Sequence, residues 1–219
     1  MNPEETKEFI KLAINFHKCD ENYYRDVIPN TEIKYDFFYS NINIFNLHYL
    51  IQYGKLDEQI VQYFLDDEII DLEHLLTYQQ LSDKQLRKYV LRKDALWDII
   101  LEYQMIPCQV LQTNKNKLDW KLVSENQFMD LEFLISNINN IVWSVLPFNI
   151  RMIKYINEGM ITLFQQTDIW THIGYSDIDI KTLLKYKHKF TEDTWDSIIE
   201  HHNIEGDELE KILLLKNNN

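Results

Sequence analysis

Five tryptophans recur at nearly equal steps, Trp97, Trp120, Trp143, Trp170 and Trp195, separated by 23, 23, 27 and 25 residues. A period of that length marks a repeat architecture, in which each unit buries its apolar face against its neighbours. A step of 25 residues back from Trp97 reaches Leu72, and the same step again reaches Leu47. Aligned on this anchor, an aliphatic residue follows at the third position (Leu75, Ile100, Val123). A glutamine follows at the seventh (Gln79, Gln104, Gln127).

Each period reads as two short helices. Asn46, Asp71, Asp94, Asp119, Asn140, Asp168 and Asp193 stand one to three residues before the anchors, where they cap a first helix or complement its dipole. The second helix starts at Asp57, at Ser82 in a Ser-Asp-Lys-Gln capping box, at Pro107, at Asp130 and at Ser176. Apolar residues then follow at helical spacing, such as Leu86, Tyr89 and Val90. Neither helix exceeds about ten residues, too short to be stable alone, so stacking must supply the burial. Leu47, Leu72 and the five tryptophans are therefore expected in the core between units. The register loosens after Trp143, around Pro147 to Gln166, and again near Gly206.

Only four glycines and four prolines occur, too few for the tight turns of a sheet protein. The expected fold is all-α. It is a right- or left-handed solenoid of about seven helix-pair repeats over residues 46–215, an N-terminal helical cap over 1–45 and a frayed tail at 216–219. Within the cap, Pro3 to His17 reads as an amphipathic helix.

The segments Leu118-Asp119-Trp120-Lys121-Leu122-Val123-Ser124-Glu125-Asn126-Gln127 and Tyr78-Gln79-Gln80-Leu81-Ser82-Asp83-Lys84-Gln85-Leu86 carry a further signal. They resemble a short α-helical repeat of giant DNA virus proteins, mimivirus relatives especially. Its pattern runs Leu-Asp-Trp, x-x, Ile-Ser, x-x, Gln, x, Leu-Ser, x-x, Phe-Ile. The resemblance covers about residues 44–213; tryptophan is lost in the first two units and glutamine after Trp143. It implies a giant-virus origin and a helical repeat, and no activity.

The net charge of −13 opposes contact with a phosphate backbone and suits basic partners. Cys19 and Cys108 make no disulfide framework, and Met1 is not followed by a signal peptide or a span of about 20 apolar residues. An intracellular site, host cytoplasm or virion, is expected.

No catalytic or cofactor motif is present. His17, His48, His74, His172, His188, His201 and His202 lack chelating spacing, so no metal is expected. Cys108 stands at a helix start, where a thiolate would be favoured, although a small buried filler is the simpler role. Acidic residues gather at Asp66, Asp67, Glu68 to Glu73 and from Glu192 to Glu210. Basic residues gather at Lys84, Arg87, Lys88, Arg92 and Lys93, and at Lys185 to Lys189, where they also offset helix dipoles. The expected function is a non-enzymatic scaffold for a viral or host protein, without membrane contact. Its acidic edge at Asp66, Asp67 and Glu68 would meet a basic surface, with Tyr103 or Tyr186 as anchors. Alternatives are a subunit of an RNA-handling or translation-related complex, acting as an adaptor or touching RNA through the two basic clusters, Lys84, Arg87 and Lys88 among them, or a structural component of a virion.

Overall fold

The structure is a computed structural model and describes every residue except 1, 2, 19, 31, 32, 68, 69, 157, 162, 164–169, 171, 177, 203, 205, 218 and 219. Among the described residues there are sixteen α-helices and no strand. In order they are α1 (Pro3–Phe16), α2 (Glu21–Asp26), α3 (Tyr35–Ser40), α4 (Leu47–Tyr53), α5 (Glu58–Asp66), α6 (Leu72–Tyr78), α7 (Asp83–Tyr89) and α8 (Trp97–Tyr103). Then come α9 (Cys108–Thr113), α10 (Trp120–Asn126), α11 (Leu131–Ser136), α12 (Ile150–Tyr155), α13 (Glu158–Ile161), α14 (Ile180–Leu184), α15 (Glu192–His201) and α16 (Gly206–Asn217). The chain divides into two compact units, residues 1–104 and 105–219, so the division falls inside the repeated region.

Leu47, Leu72, Trp97 and Trp120 are each the first residue of a seven-residue helix. Asn46, Asp71 and Asp119 accept hydrogen bonds from the first-turn amides, which would otherwise be orphaned. Asp57, Asp130 and the Ser82–Gln85 capping box start second helices in the same way. Three expected caps fall elsewhere; Asn140 stands in a turn that starts no helix. Asp94 forms a two-point pair with Arg92 (3.1 and 2.9 Å), and Leu96 precedes α8 with its N–H donated to Tyr89 Oη at 3.1 Å. Ser176 closes a 3-10 turn at Ile173–Tyr175, and Asp179 caps α14. Asp168 lies outside the described residues.

In the first unit, α2 packs on α4, α4 on α6 and α6 on α8, while α3 packs on α5. The segment ahead of the repeats thus contributes a helix pair of its own, α2 and α3, laid against α4 and α5. The core is built from the third and fourth residues after each anchor. Leu50 and Ile51, Leu75 and Leu76, and Ile100 and Leu101 are all buried, joined by Ile60, Phe64 and Leu86 from the second helices.

In the second unit α10 and α12 contact the 3-10 turn at Leu146–Phe148, and α15 packs on the turn at Ile173–Tyr175 and on α16. Gly174 permits that approach, because a Cβ there would lie 2.0 Å from Ser197 Oγ and 2.7 Å from the Ile198 nitrogen. Gly206, at φ 60, supplies the left-handed turn into α16 that only glycine adopts without strain. Lys216, expected in a frayed tail, is held by Asp196 (2.6 Å) and Glu192 (3.0 Å) of α15.

The anchors themselves are less buried than their periodicity implies. Leu47, Leu72, Trp97, Trp120 and Trp143 are half-buried; Trp170 and Trp195 are buried. Where it is the first helical residue, as at Leu47, Leu72, Trp97 and Trp120, an anchor covers the edge of the core from the helix entrance; Trp143 stands in a turn and Trp195 is the fourth residue of α15. Trp120 stacks on Phe133 at 6.0 Å, and Trp195 meets Phe190 edge-on at 5.0 Å.

The repeated glutamine has the central structural role. Helices of seven residues leave their last carbonyls without intrahelical partners. Gln79 Nε2 donates to the Ile51 carbonyl (2.5 Å) and the Gly54 carbonyl (2.8 Å) of the preceding period. Gln104 Nε2 donates to the Leu76 and Gln79 carbonyls, and its Oε1 accepts from Leu81 N at 2.9 Å. In the second unit Gln127 Oε1 accepts from Ile106 N at 2.9 Å. Asn149 replaces the glutamine missing after Trp143, donating to the Ser124 and Gln127 carbonyls at 2.9 Å each. These amides form buried rungs, from 0% exposed at Gln127 to 8% at Gln79.

Gln104→Met keeps the volume but leaves two carbonyls and an N–H without their partner. Denaturant unfolding is expected to show a loss of about 3 kcal/mol. The exposed Gln80→Met should lose less than about 1 kcal/mol. Trp120→Ala, being half-buried, is expected to lose about 1–3 kcal/mol in the same assay rather than the 3–5 of a fully buried ring.

Candidate functional site

α5 presents two opposite stripes. Ile60, Val61, Phe64 and Leu65 face the core. Gln59, Gln62, Tyr63 and Asp66, at i, i+3, i+4 and i+7, share the other face, as helical geometry requires. That outer stripe forms one wall of a cleft of about 1020 Å³, completed by Tyr35 and Asp36 of α3, by Glu58 and Asp67 at the two ends of α5, and by Lys84 of α7. Among the described residues, four carboxylates, Asp36, Glu58, Asp66 and Asp67, thus line the cleft with one ammonium and two tyrosines.

Asp36 and Glu58 lie in the first turns of α3 and α5, where the dipole favours them, but the other two carboxylates are not placed for helix stability. Asp66 and Asp67 stand at the C-terminal end of α5, where the helix dipole disfavours an anion. Lys88 of α7 lies 3.5 Å from Asp66, and Gln62 Nε2 donates to it at 2.8 Å. Both ions are well exposed, so the pair contributes at most about 1 kcal/mol. Glu58 accepts from Ser82 Oγ at 2.8 Å, tying the rim to α7. Burial pushes the Tyr63 phenol above its usual range, and the Asp67 charge pushes it further, so it faces the cleft as a neutral hydrogen-bonding ring.

The acidic and basic edges expected as separate features therefore meet in one place. Asp66, Asp67 and Lys84 line the same cleft and Lys88 pairs across its rim. Arg87 is exposed on the last turn of α7. Glu68 lies outside the described residues. Arg92 bonds Asp94 and the Leu65 carbonyl. Lys187, His188 and Lys189 form an exposed 3-10 turn. Tyr103 is 36% exposed, whereas Tyr186 is half-buried with its ring 5.7 Å from that of Trp170.

Sequence reasoning missed Tyr35, Asp36, Glu58 and Tyr63. The stripe on α5 was readable from its spacing; the α3 wall was not, because nothing in sequence pairs α3 with α5.

Among the described residues no three His, Cys, Asp or Glu side chains converge as a metal site would require. His48 and His74 stack at 3.8 Å, with His74 Nε2 donating to the His48 carbonyl. No helix of the described residues is long and apolar enough to cross a membrane. No protein-family model matches the chain, and neither does any curated protein or solved structure.

Cys108 behaves as the small filler expected of it rather than as a helix-start thiolate. It begins α9, yet burial pushes its thiol up to about 11, outweighing the Asp130 amide that lowers it. Its sulfur is 3.5 Å from the Phe128 carbonyl and 3.5 Å from Asp130 N. In a Cys19→Ser background, alkylation of Cys108 by iodoacetamide at pH 8 is expected to run at least about tenfold slower than with a free cysteine, and to accelerate above pH 10. A rate equal to free cysteine would mean that the thiol is not held neutral.

Proposed function

We propose that this protein is a non-enzymatic interaction scaffold, a helical-repeat solenoid that binds a basic protein surface in the cleft between α3, α5 and α7. The observation that carries the reading is the cleft's lining: among the described residues, four carboxylates and two half-buried tyrosines to one lysine. Carboxylates raise the encounter rate with a cationic partner, and tyrosine supplies contact area at small entropic cost. The net charge of −13 favours the same partners over nucleic acid. The repeat pattern supports assignment to the helical-repeat proteins of giant DNA viruses, with a viral or host protein as partner inside the cell or virion.

The test is affinity capture from infected-cell extract, with the intact protein as bait, followed by mass spectrometry and a titration of the recovered partner. Asp66→Lys combined with Asp67→Lys is expected to weaken binding at least about tenfold and to leave the melting temperature within a few degrees. Lys84→Glu, which removes the cleft's one cation, should strengthen it. Recovery of RNA in place of protein, lost on reversing Lys84, Arg87 and Lys88 and with a steep salt dependence, would replace this reading with the RNA-adaptor one.

A further inference from the structure

The last residue of α4, of α6 and of α8 is a tyrosine: Tyr53, Tyr78 and Tyr103. Tyr78 is 47% and Tyr103 36% exposed, and Tyr53 is half-buried. The fold does not require an aromatic at this register, since α10 ends in Asn126 at the same place. In the second unit Phe148 and Tyr175, directly before Asn149 and Ser176, are exposed aromatics too, at 70% and 44%. Core packing does not account for such a repeated, solvent-facing choice.

The buried rungs set the tyrosines in line. Gln79 bonds the carbonyl of Gly54, the residue after Tyr53, and Gln104 bonds the carbonyl of Gln79, the residue after Tyr78. The backbones of neighbouring tyrosines are therefore offset by one helix–helix distance, about 9 Å. Carboxylates accompany the row. Tyr53 Oη donates to Glu21 at 2.7 Å, and the Glu102 carboxylate beside Tyr103 raises its phenol above the ordinary range. Glu73 is exposed on α6, and the His74 ring, 4.9 Å from that of Tyr78, braces the central tyrosine. At Tyr53 the hydroxyl is engaged with a carboxylate, and the ring face is left to meet a ligand. Such faces carry negative potential, to which the adjacent anions add.

We propose that Tyr53, Tyr78 and Tyr103 form a docking stripe for an extended polypeptide segment carrying arginine at every third residue. An arginine stacks on each ring and pairs with the adjacent carboxylate, joining cation–π attraction to a charge-assisted hydrogen bond. The spacing selects the register. A polyproline II segment rises about 3.1 Å per residue with three residues per turn, so every third side chain returns to the same side after about 9 Å. That matches the offset of the tyrosines. A single-stranded nucleic acid could use the rings as stacking platforms, but its phosphates would face Glu21, Glu73 and Glu102. The stripe lies on α4, α6 and α8, not on the cleft helices, and is tested separately.

The experiment uses the intact protein and two fluorescein-labelled peptides of equal composition. One carries arginine at every third position between prolines and alanines; the other carries its arginines consecutively. Fluorescence anisotropy is expected to show the periodic peptide binding at least about fivefold tighter, with Tyr78→Ala weakening it about three- to tenfold and Tyr78→Phe leaving it unchanged. Asp66→Asn with Asp67→Asn, in the cleft, should have no effect. Should Tyr78→Ala not fold by circular dichroism, Glu73→Lys reads the same stripe, and a loss of similar size is expected. The proposal is overturned if the peptides bind equally, if neither stripe variant weakens binding, or if the cleft variant abolishes it. Labelled oligouridylate binding that depends on Tyr78 would overturn it as well, in favour of nucleic acid.

Discussion

The structure depends on how very short helices dispose of their final carbonyls. A seven-residue helix satisfies only its first few carbonyls internally, and leaving the rest buried without partners would cost more than such a helix can recover from packing. The chain meets this demand from outside each helix. A buried amide, one period further on, donates to two carbonyls at the helix end, as Gln79 does for Ile51 and Gly54 and Asn149 for Ser124 and Gln127. Helix termini and contact between periods are thus one interaction. The apolar pairs at Leu50–Ile51, Leu75–Leu76 and Ile100–Leu101 supply non-directional burial, and the rungs fix the register in which that burial occurs.

Much of the helix content was legible because its signals are local. The anchor period, the Asp and Asn caps and the Ser82–Gln85 box depend on residues within one turn, and the helices begin where those signals stand. What failed required knowledge of a partner. Asp94 has the right type and place for a cap, but Arg92 two residues earlier competes for it and wins with two hydrogen bonds. Ser176 looks like a helix start and instead ends a 3-10 turn. The loss of glutamine after Trp143 read as a break in the pattern, yet Asn149 reaches the same carbonyls with a shorter arm. The anchor period identified the helix entrance at Leu47, Leu72, Trp97 and Trp120 but not at Trp143, which stands in a turn, or at Trp195, the fourth residue of α15; nor did it tell that the fully buried layer starts three residues after the entrance.

The cleft shows the same limit. Asp66 and Asp67 stood out in sequence as a charge run, and Lys84 as part of an opposite one. Linear order kept them apart, whereas α5 and α7 bring them to one rim. The second acidic region, from Glu192 onward, is partly used by the fold, since Glu192 and Asp196 hold Lys216. A run of like charge is therefore ambiguous until its neighbours are known. The part of it standing against its own helix dipole is the part that local stability does not explain.

Each rung points backwards, towards residues already passed in the chain, and this gives the molecule a direction in time. As a nascent chain emerges, α4 can coil as soon as Tyr53 and Gly54 are free, but its terminal carbonyls wait for Gln79; those of α6 wait for Gln104. At about 5–20 residues per second, a period of about 25 residues arrives in roughly 1–5 s. Completion of these helix ends therefore trails synthesis by one period. Throughout that interval the newest period offers bare acceptors to water or to any donor at hand.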